Sequence, residues 1–218
     1  MTRVKICCIR SIEEARLAIH HGADAIGLVS EMLSETRGIP DVVIREIARE
    51  CPPGVSTFLL TPRTDPRSII EHQRATGVDT IQLVDRVAPE DVVRVKDALP
   101  EVSLVQVIHV NDGAAISEAE SYAPVVDALL LDSGTADGPV RALGGTGRTH
   151  DWSLSRRIVR RASCPVFLAG GLDAQNVALA IRDVGPFGVD VCSRLRPRGF
   201  LDPCLLSSFV GAVRSAAA

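Results

Sequence analysis

Lysine is nearly missing from this chain. It occurs at positions 5 and 96, and arginine carries the rest of the positive charge. A compositional bias at the gene level explains that preference, so no function is drawn from it, but it singles out Lys5, which sits inside an apolar strand. Aromatic residues make up only 3%, with one Trp and one Tyr. That leaves no interleaving of basic and aromatic side chains of the kind that grips nucleic acid. A net charge of −3 gives no general attraction to nucleic acid or to an anionic membrane. No stretch approaches the roughly 20 apolar residues that a membrane span needs. Arg3 and Lys5 interrupt the start, where a secretory signal would need an apolar core. The cysteines at 7, 8, 51, 164, 192 and 204 form no C-x-x-C pair and no metal-ligand spacing with histidine. They read as reduced thiols of a cytoplasmic protein that binds no metal.

What is present is a regular beat of apolar runs and amphipathic segments. Strands are expected at Val4–Ile9, Ala25–Ser30, Ser56–Thr61, Thr80–Val84, Ser103–Val110, Ala128–Ser133, Pro165–Gly171 and Val189–Ser193. Helices are expected at Ser11–His21, Asp41–Glu50, Asp65–Thr76, Pro89–Leu99, Ala114–Tyr122, Ser153–Ala162, Ala174–Val184 and Pro203–Ser215. Strands alternating with helices imply a parallel sheet with right-handed crossovers, and near-continuous apolar strands imply burial on both faces. Eight such units in 218 residues fit an α/β fold of one domain spanning 1–218, a (β/α)8 TIM barrel. The rival, an open doubly wound sheet, would need a glycine-rich turn after its first strand. Cys8-Ile9-Arg10-Ser11 has no glycine.

A barrel of this kind does its chemistry at the C-terminal ends of its strands. The polar residues expected there are Cys7, Ser30, Thr61, Gln82, Asp132, Ser133 and Ser193. Side chains alternate along a strand, so Lys5 and Cys7 share one face while Ile6 and Cys8 share the other. Cys7 is therefore the thiol expected to look into the site. Asp132 closes the run Leu129-Leu130-Leu131, where desolvation raises a carboxylate towards the range of a useful acid. The residues alone leave a second reading open, a helix cap or a loop ion pair with an arginine such as Arg148. Glycine-rich stretches at Gly144–Gly147 and Gly170-Gly171, with Ser193-Arg194 after the last strand, lie where such barrels hold phosphate. Arg156, Arg157, Arg160 and Arg161 read as a solvated helix face, His20 and His21 as cations suited to a helix C-terminus, and Trp152 as packing.

Lys5-Ile6-Cys7, Gly22-Ala23-Asp24, Gly27, Leu131-Asp132, Gly144-Gly145-Thr146-Gly147, Asp151-Trp152, Leu168-Ala169-Gly170-Gly171-Leu172, Asn176-Val177 and Gly188-Val189-Asp190-Val191-Cys192-Ser193 form one combination. It resembles the phosphoribosylanthranilate isomerase family of tryptophan biosynthesis, strongly in the first and last thirds and weakly between about residues 31 and 125. The resemblance implies a (β/α)8 barrel that performs an Amadori rearrangement on a phosphorylated small molecule without a cofactor. It makes Cys7 the general base at the sugar C2′ and Asp132 the general acid at the ring oxygen. It gives Arg37 to the anthranilate carboxylate, and Gly145, Gly147, Gly170, Gly171 and Ser193 to the phosphate. Gln82 at the end of the fourth strand and Arg194, turned inward to the phosphate, complete the expected substrate-binding set. The oligomeric state is left between monomer and homodimer.

The sequence departs from the family pattern at defined places. Cys8 replaces the glycine after the catalytic cysteine, and Arg194 replaces the glycine after Ser193. The fourth strand ends Gln82-Leu83-Val84-Asp85 in place of Gln-Leu-His-Gly. Ser34-Glu35-Thr36-Arg37 replaces a serine-proline-arginine loop, and His150 stands where an aromatic residue is common. Acid, base and phosphate motifs survive while the aglycone side has changed. The chain reads as an isomerase of this family. The alternatives are a paralogue acting on another phosphosugar, or a non-catalytic barrel that binds a phosphorylated metabolite.

Overall fold

The computed structural model describes residues 1–30, 38–134 and 149–216. Each apolar run becomes a strand: β1 (Arg3–Ile6), β2 (Ala25–Val29), β3 (Ser56–Thr61), β4 (Thr80–Leu83), β5 (Ser103–His109), β6 (Ala128–Asp132), β7 (Val166–Leu168) and β8 (Gly188–Val191). The helices between and after them are α1 (Ile12–His20), α2 (Asp41–Glu50), α3 (Pro66–Thr76), α4 (Pro89–Ala98), α5 (Ala114–Tyr122), α6 (Trp152–Arg161), α7 (Val177–Val184) and α8 (Pro203–Ala216). Every strand pairs in parallel with its sequence neighbours, and β8 returns to pair with β1, closing the eight-stranded barrel. Among the described residues no helix is long and apolar enough to cross a membrane.

The period of two along each strand sorts the core into two shells. Val4 and Ile6, Ile26 and Leu28, Ile81 and Leu83, Leu129 and Leu131, and Val189 and Val191 face outward and pack under the helices. Ala25 and Val29, Phe58 and Leu60, Val105 and Val107, Ala128 and Leu130, and Phe167 and Ala169 fill the barrel interior, together with Cys7. Interior space is tight enough to demand glycine at two places. A Cβ on Gly188 would stand 2.5 Å from the Phe167 ring, and one on Gly27 would stand 2.8 Å from Cys7 Sγ.

Local capping fixes where the helices start. Ser11 caps α1 by accepting the Glu14 N–H at 3.3 Å, and the Glu14 carboxylate accepts the Arg10 N–H at 3.0 Å. Asp65 and Asp151 cap α3 and α6 by accepting from Ser68 N and Ser153 N. Asp173 and Asn176 bond to each other's backbone N–H groups, a closed turn that delays α7 to Val177, three residues later than the apolar pattern suggests.

Strand ends differ from expectation in a way that matters. β1 stops at Ile6, and only Cys7 continues its register, donating N–H to Val191 O at 2.9 Å. The next residue, Cys8, has φ +61, the only positive value at a non-glycine position among the described residues. That left-handed step breaks the alternation, so Cys8 does not point to the outer face. It packs against the interior cluster and forms a disulfide with Cys192, with Cα atoms 6.0 Å apart. The expectation that all six cysteines are free thiols is corrected accordingly: Cys7, Cys51, Cys164 and Cys204 are free.

Candidate active site

Towards the C-terminal end of the strands the inner parity carries Lys5 of β1 and Cys7 just beyond it, Gln82 of β4, His109 of β5, Asp132 of β6 and Asp190 of β8. Those residues gather at one end, the C-terminal rim, and just below it.

Cys7 is buried, with 4% of its surface exposed. Burial pushes its thiol up to about 11. The Lys5 ammonium works against that rise by favouring the thiolate, while the Asp190 carboxylate adds to it. Lys5 itself is wholly buried, and its Nζ lies 2.9 Å from Asp190 Oδ1 and 5.1 Å from the centre of the Phe58 ring. Burial disfavours the charged ammonium, but the Asp190 carboxylate and the Cys7 sulfur together outweigh it, and Lys5 is held above its ordinary value. Lys5 and Asp190 stand directly opposite each other in the β1–β8 register.

Asp132 ends β6, where it is partly buried and accepts the Ser133 N–H at 2.7 Å. Burial raises its carboxyl above the usual range; the Ser133 N–H pulls down, Asp190 adds to the rise, and His109 and Lys5 pull down. A rise is the direction that a general acid requires. His109 sits beside Asp132 in register, and its Nε2 meets Val84 O at 3.3 Å. Gln82 is buried at the inner face, and its Oε1 has no hydrogen-bond partner among the described residues.

The turns that follow β7 and β8, where the sequence places the phosphate-binding glycines, lie on the same rim. Gly170 has φ +86 and Gly171 φ +62, conformations that a side chain would strain. A Cβ on Gly170 would also meet Ser133 Oγ at 3.1 Å and His150 Nδ1 at 3.2 Å. Asn176 Nδ2 donates to Gly171 O at 2.9 Å and fixes this turn from behind. His150 Nε2 lies 2.6 Å from Ser155 Oγ, and burial lowers its ring to about 4, so it stands neutral beside the glycines. Ser193 and Arg194 open a single 3₁₀ turn, Ser193–Leu195, and both are exposed. Arg194 does not adopt positive φ, so replacing glycine there carries no backbone strain; the left-handed residue is Cys8.

Other expected site residues fall elsewhere. Ser30 Oγ donates to Leu60 O at 3.1 Å, and Thr61 Oγ1 lies 3.1 Å from His72 Nδ1. Both hydroxyls are committed to holding the barrel wall. Arg196, near the expected phosphate site, is bound to Glu14 at 2.9 and 3.0 Å instead. Arg37, Gly145 and Gly147 lie outside the described residues. Two inner-face groups were missed by sequence reasoning, Asp190 and His109. The signal for Asp190 was Lys5, since a lysine in an apolar strand needs a buried counter-charge.

Comparison with known proteins agrees with this geometry. Residues 4–212 match the family described as N-(5'phosphoribosyl)anthranilate (PRA) isomerase. The N-(5'-phosphoribosyl)anthranilate isomerase 2 of Methanosarcina mazei is 38% identical over 210 residues, covering 95% of this chain and 92% of its own. The crystal structure of phosphoribosyl anthranilate isomerase from Thermotoga maritima superposes with a TM-score of 0.84 at 28% identity, covering 99% of this chain and 100% of its own. A structure of such an isomerase in complex with reduced 1-(o-carboxyphenylamino)-1-deoxyribulose 5-phosphate superposes with a TM-score of 0.81 at 26% identity, covering 99% of this chain and 100% of its own. With a thiol and a raised carboxyl on the inner face of a closed barrel, this chain matches one family almost end to end, and it belongs to the N-(5'-phosphoribosyl)anthranilate isomerase family.

Proposed function

We propose that this chain is an aldose–ketose isomerase of tryptophan biosynthesis. It converts N-(5'-phosphoribosyl)anthranilate to 1-(2-carboxyphenylamino)-1-deoxyribulose 5-phosphate. The observation that supports this reading is the pairing of Cys7 and Asp132 on the inner face at the C-terminal rim, one thiol and one raised carboxyl group. Asp132 gives its proton to the furanose ring oxygen as the C1′–O bond breaks, and the anilino nitrogen lone pair forms the C1′=N bond. The Cys7 thiolate takes the C2′ proton, the freed electron pair forms the C1′=C2′ bond, and the C1′=N pair returns to nitrogen to give a neutral enol-amine. Tautomerisation delivers the C2′ ketone. C1′ is reduced and C2′ oxidised within one molecule, so the balance requires no external oxidant, reductant or cofactor.

On this reading Gly170, Gly171, Ser193 and Arg194 bind the phosphate together with Gly145 and Gly147, Gln82 lines the sugar, and Arg37 takes the anthranilate carboxylate through a bidentate pair. The barrel acts as one domain over 1–218 in the cytoplasm, as a monomer or homodimer. The experiment is complementation of a strain lacking the isomerase, followed by a fluorescence assay of phosphoribosylanthranilate consumption. Growth without tryptophan and decay of the anthranilate ribotide signal are expected; no growth and no decay with folded protein would overturn the assignment.

A further inference from the structure

The acid–base reading leaves one buried feature unused. Lys5 and Asp190 place two full charges inside the barrel, with side-chain exposures of 0% and 9%. Burying an ion pair costs enough desolvation that well-packed apolar residues commonly serve stability as well or better. A barrel floor already filled by Ala25, Phe58, Val105, Ala128 and Phe167 has no packing need for a lysine. The pair is also oriented. Lys5 precedes Cys7 by two residues on the same face of β1, and its ammonium interacts with the Cys7 thiol as well as with Asp190. Asp190 enters from β8, on the side of the barrel that leads through β7 to Asp132 on β6.

Resting on the isomerase reading above, we propose that the Lys5–Asp190 ion pair is a positioning element of the acid–base machinery. It lies below the reacting groups and turns its cation to the base, Cys7, and its anion to the acid, Asp132. Cys7 must be ionised and Asp132 protonated in the same molecule, yet burial favours the neutral form of both. At Cys7 the pull of Lys5 exceeds the push of Asp190; at Asp132 the push of Asp190 exceeds the pull of Lys5. One oriented pair therefore raises the fraction of molecules in which both groups are ready. Neither Lys5 nor Asp190 needs to touch the substrate to do so.

The test is the charge-neutral double variant Lys5→Met/Asp190→Asn, which leaves no buried charge without a partner. Its folding is checked by circular dichroism and its affinity for the reduced product analogue by titration. Affinity within about twofold of the unmodified protein is expected, with kcat lower by about tenfold or more, the change that one pKa unit produces. The kcat–pH profile should widen as it falls, the alkaline limb moving up with Cys7 and the acid limb moving down with Asp132. A purely structural pair would lower stability without moving either limb. A folded double variant with unchanged kcat and unchanged limbs overturns the proposal. Should the double variant not fold, Asp190→Asn alone keeps the lysine, and both limbs should then move to lower pH; unmoved limbs overturn the proposal equally. Alkylation of Cys7 by iodoacetamide across pH, read by mass spectrometry, needs no substrate. If turnover is absent in the unmodified protein but the double variant's Cys7 reacts only at higher pH, the substrate assignment has failed and the pairing stands. If turnover is present and the Cys7 profile is unmoved, the pairing has failed and the isomerase reading stands.

Discussion

Gly27 and Cys7 are fitted to one another across the β1–β2 pair: a Cβ at residue 27 would stand 2.8 Å from the Cys7 sulfur and 3.1 Å from its Cα. No side chain at that position leaves the thiol where it is. Gly27→Ala should therefore displace the Cys7 side chain, lowering kcat more than it raises KM, and should cost about 1–3 kcal/mol from overpacking. The cycle with Cys7→Ala checks the cause. Removing the sulfur opens the space, so Gly27→Ala/Cys7→Ala should be more stable than the sum of the two single changes predicts. Strict additivity in urea denaturation would show that the clash lies elsewhere.

Cys7→Ala and Asp132→Asn should each lower kcat by roughly 10²–10⁴-fold, the range for losing a positioned acid or base. Binding of the product analogue should persist in both, because the turn at Gly170 and Gly171, proposed to hold the phosphate, is separate from them. Because burial holds the Cys7 thiol up at about 11, above the acid it works with, the alkaline limb of the kcat–pH profile should follow Cys7 and lie well above neutrality. A fully active Cys7→Ala protein would remove Cys7 from the mechanism.

The bridge between Cys8 and Cys192 predicts a thiol count. In denaturant without reductant, four thiols should react with a disulfide reagent, and all six only after reduction. Six from the start would show an open pair. The left-handed backbone at Cys8 adds a second expectation. Under reducing conditions Cys8→Gly should be more stable than the reduced parent by about 1 kcal/mol, since glycine relieves the penalty of positive φ. Cys8→Ala, which keeps the Cβ, should not share that gain.

Glu14 and Arg196 tie the start of α1 to the turn after β8, with side-chain exposures of 15% and 4%. Burial alone would raise the Glu14 carboxyl, but the hydrogen bond and charge of Arg196 hold it below its ordinary value. The stability that this pair gives is thus fully present above the range of an unfolded glutamate and is lost as pH falls through the lowered folded value. Arg196→Met leaves a carboxylate without its partner and should cost about 3 kcal/mol or more. Its deficit in urea midpoint should shrink as pH is lowered towards that range, and an unchanging deficit would exclude the pair as its source.

The barrel was legible because its signal is repeated: eight apolar runs, each followed by a helical pattern, leave few topologies open. Cys7 and Asp132 were legible because each closes such a run on the inner parity of its strand. What the sequence hid depends on pairings across strands. Asp190 reads as one polar residue in an apolar strand until closure sets it opposite Lys5. His109 carries no motif, yet its Nε2 meets the carbonyl of Val84, the residue after β4 that departs from the histidine of the family pattern. Cys8 was misplaced because strand alternation was extended one residue too far. The strand ends at Ile6, and a single left-handed residue reverses the direction that the side chain takes. Of the two residues that replace glycine in that pattern, Cys8 and Arg194, only Cys8 takes a left-handed backbone.

The Cys8–Cys192 bond also changes what kind of object the polypeptide is. It spans 184 positions in sequence, from just after the first strand to just after the last, and it sits on the seam where β8 meets β1. Once it forms, residues 8–192 make a single covalent hoop, with α8 carried on the tail beyond it. A hoop of that circumference loses about 5 kcal/mol worth of freedom when unfolded, by the chain-entropy argument. Its two ends come together only when the final strand has docked, so the bond cannot help the earlier strands to assemble. It acts as a latch on a finished barrel, set within one residue of the proposed base and one residue of the proposed phosphate site.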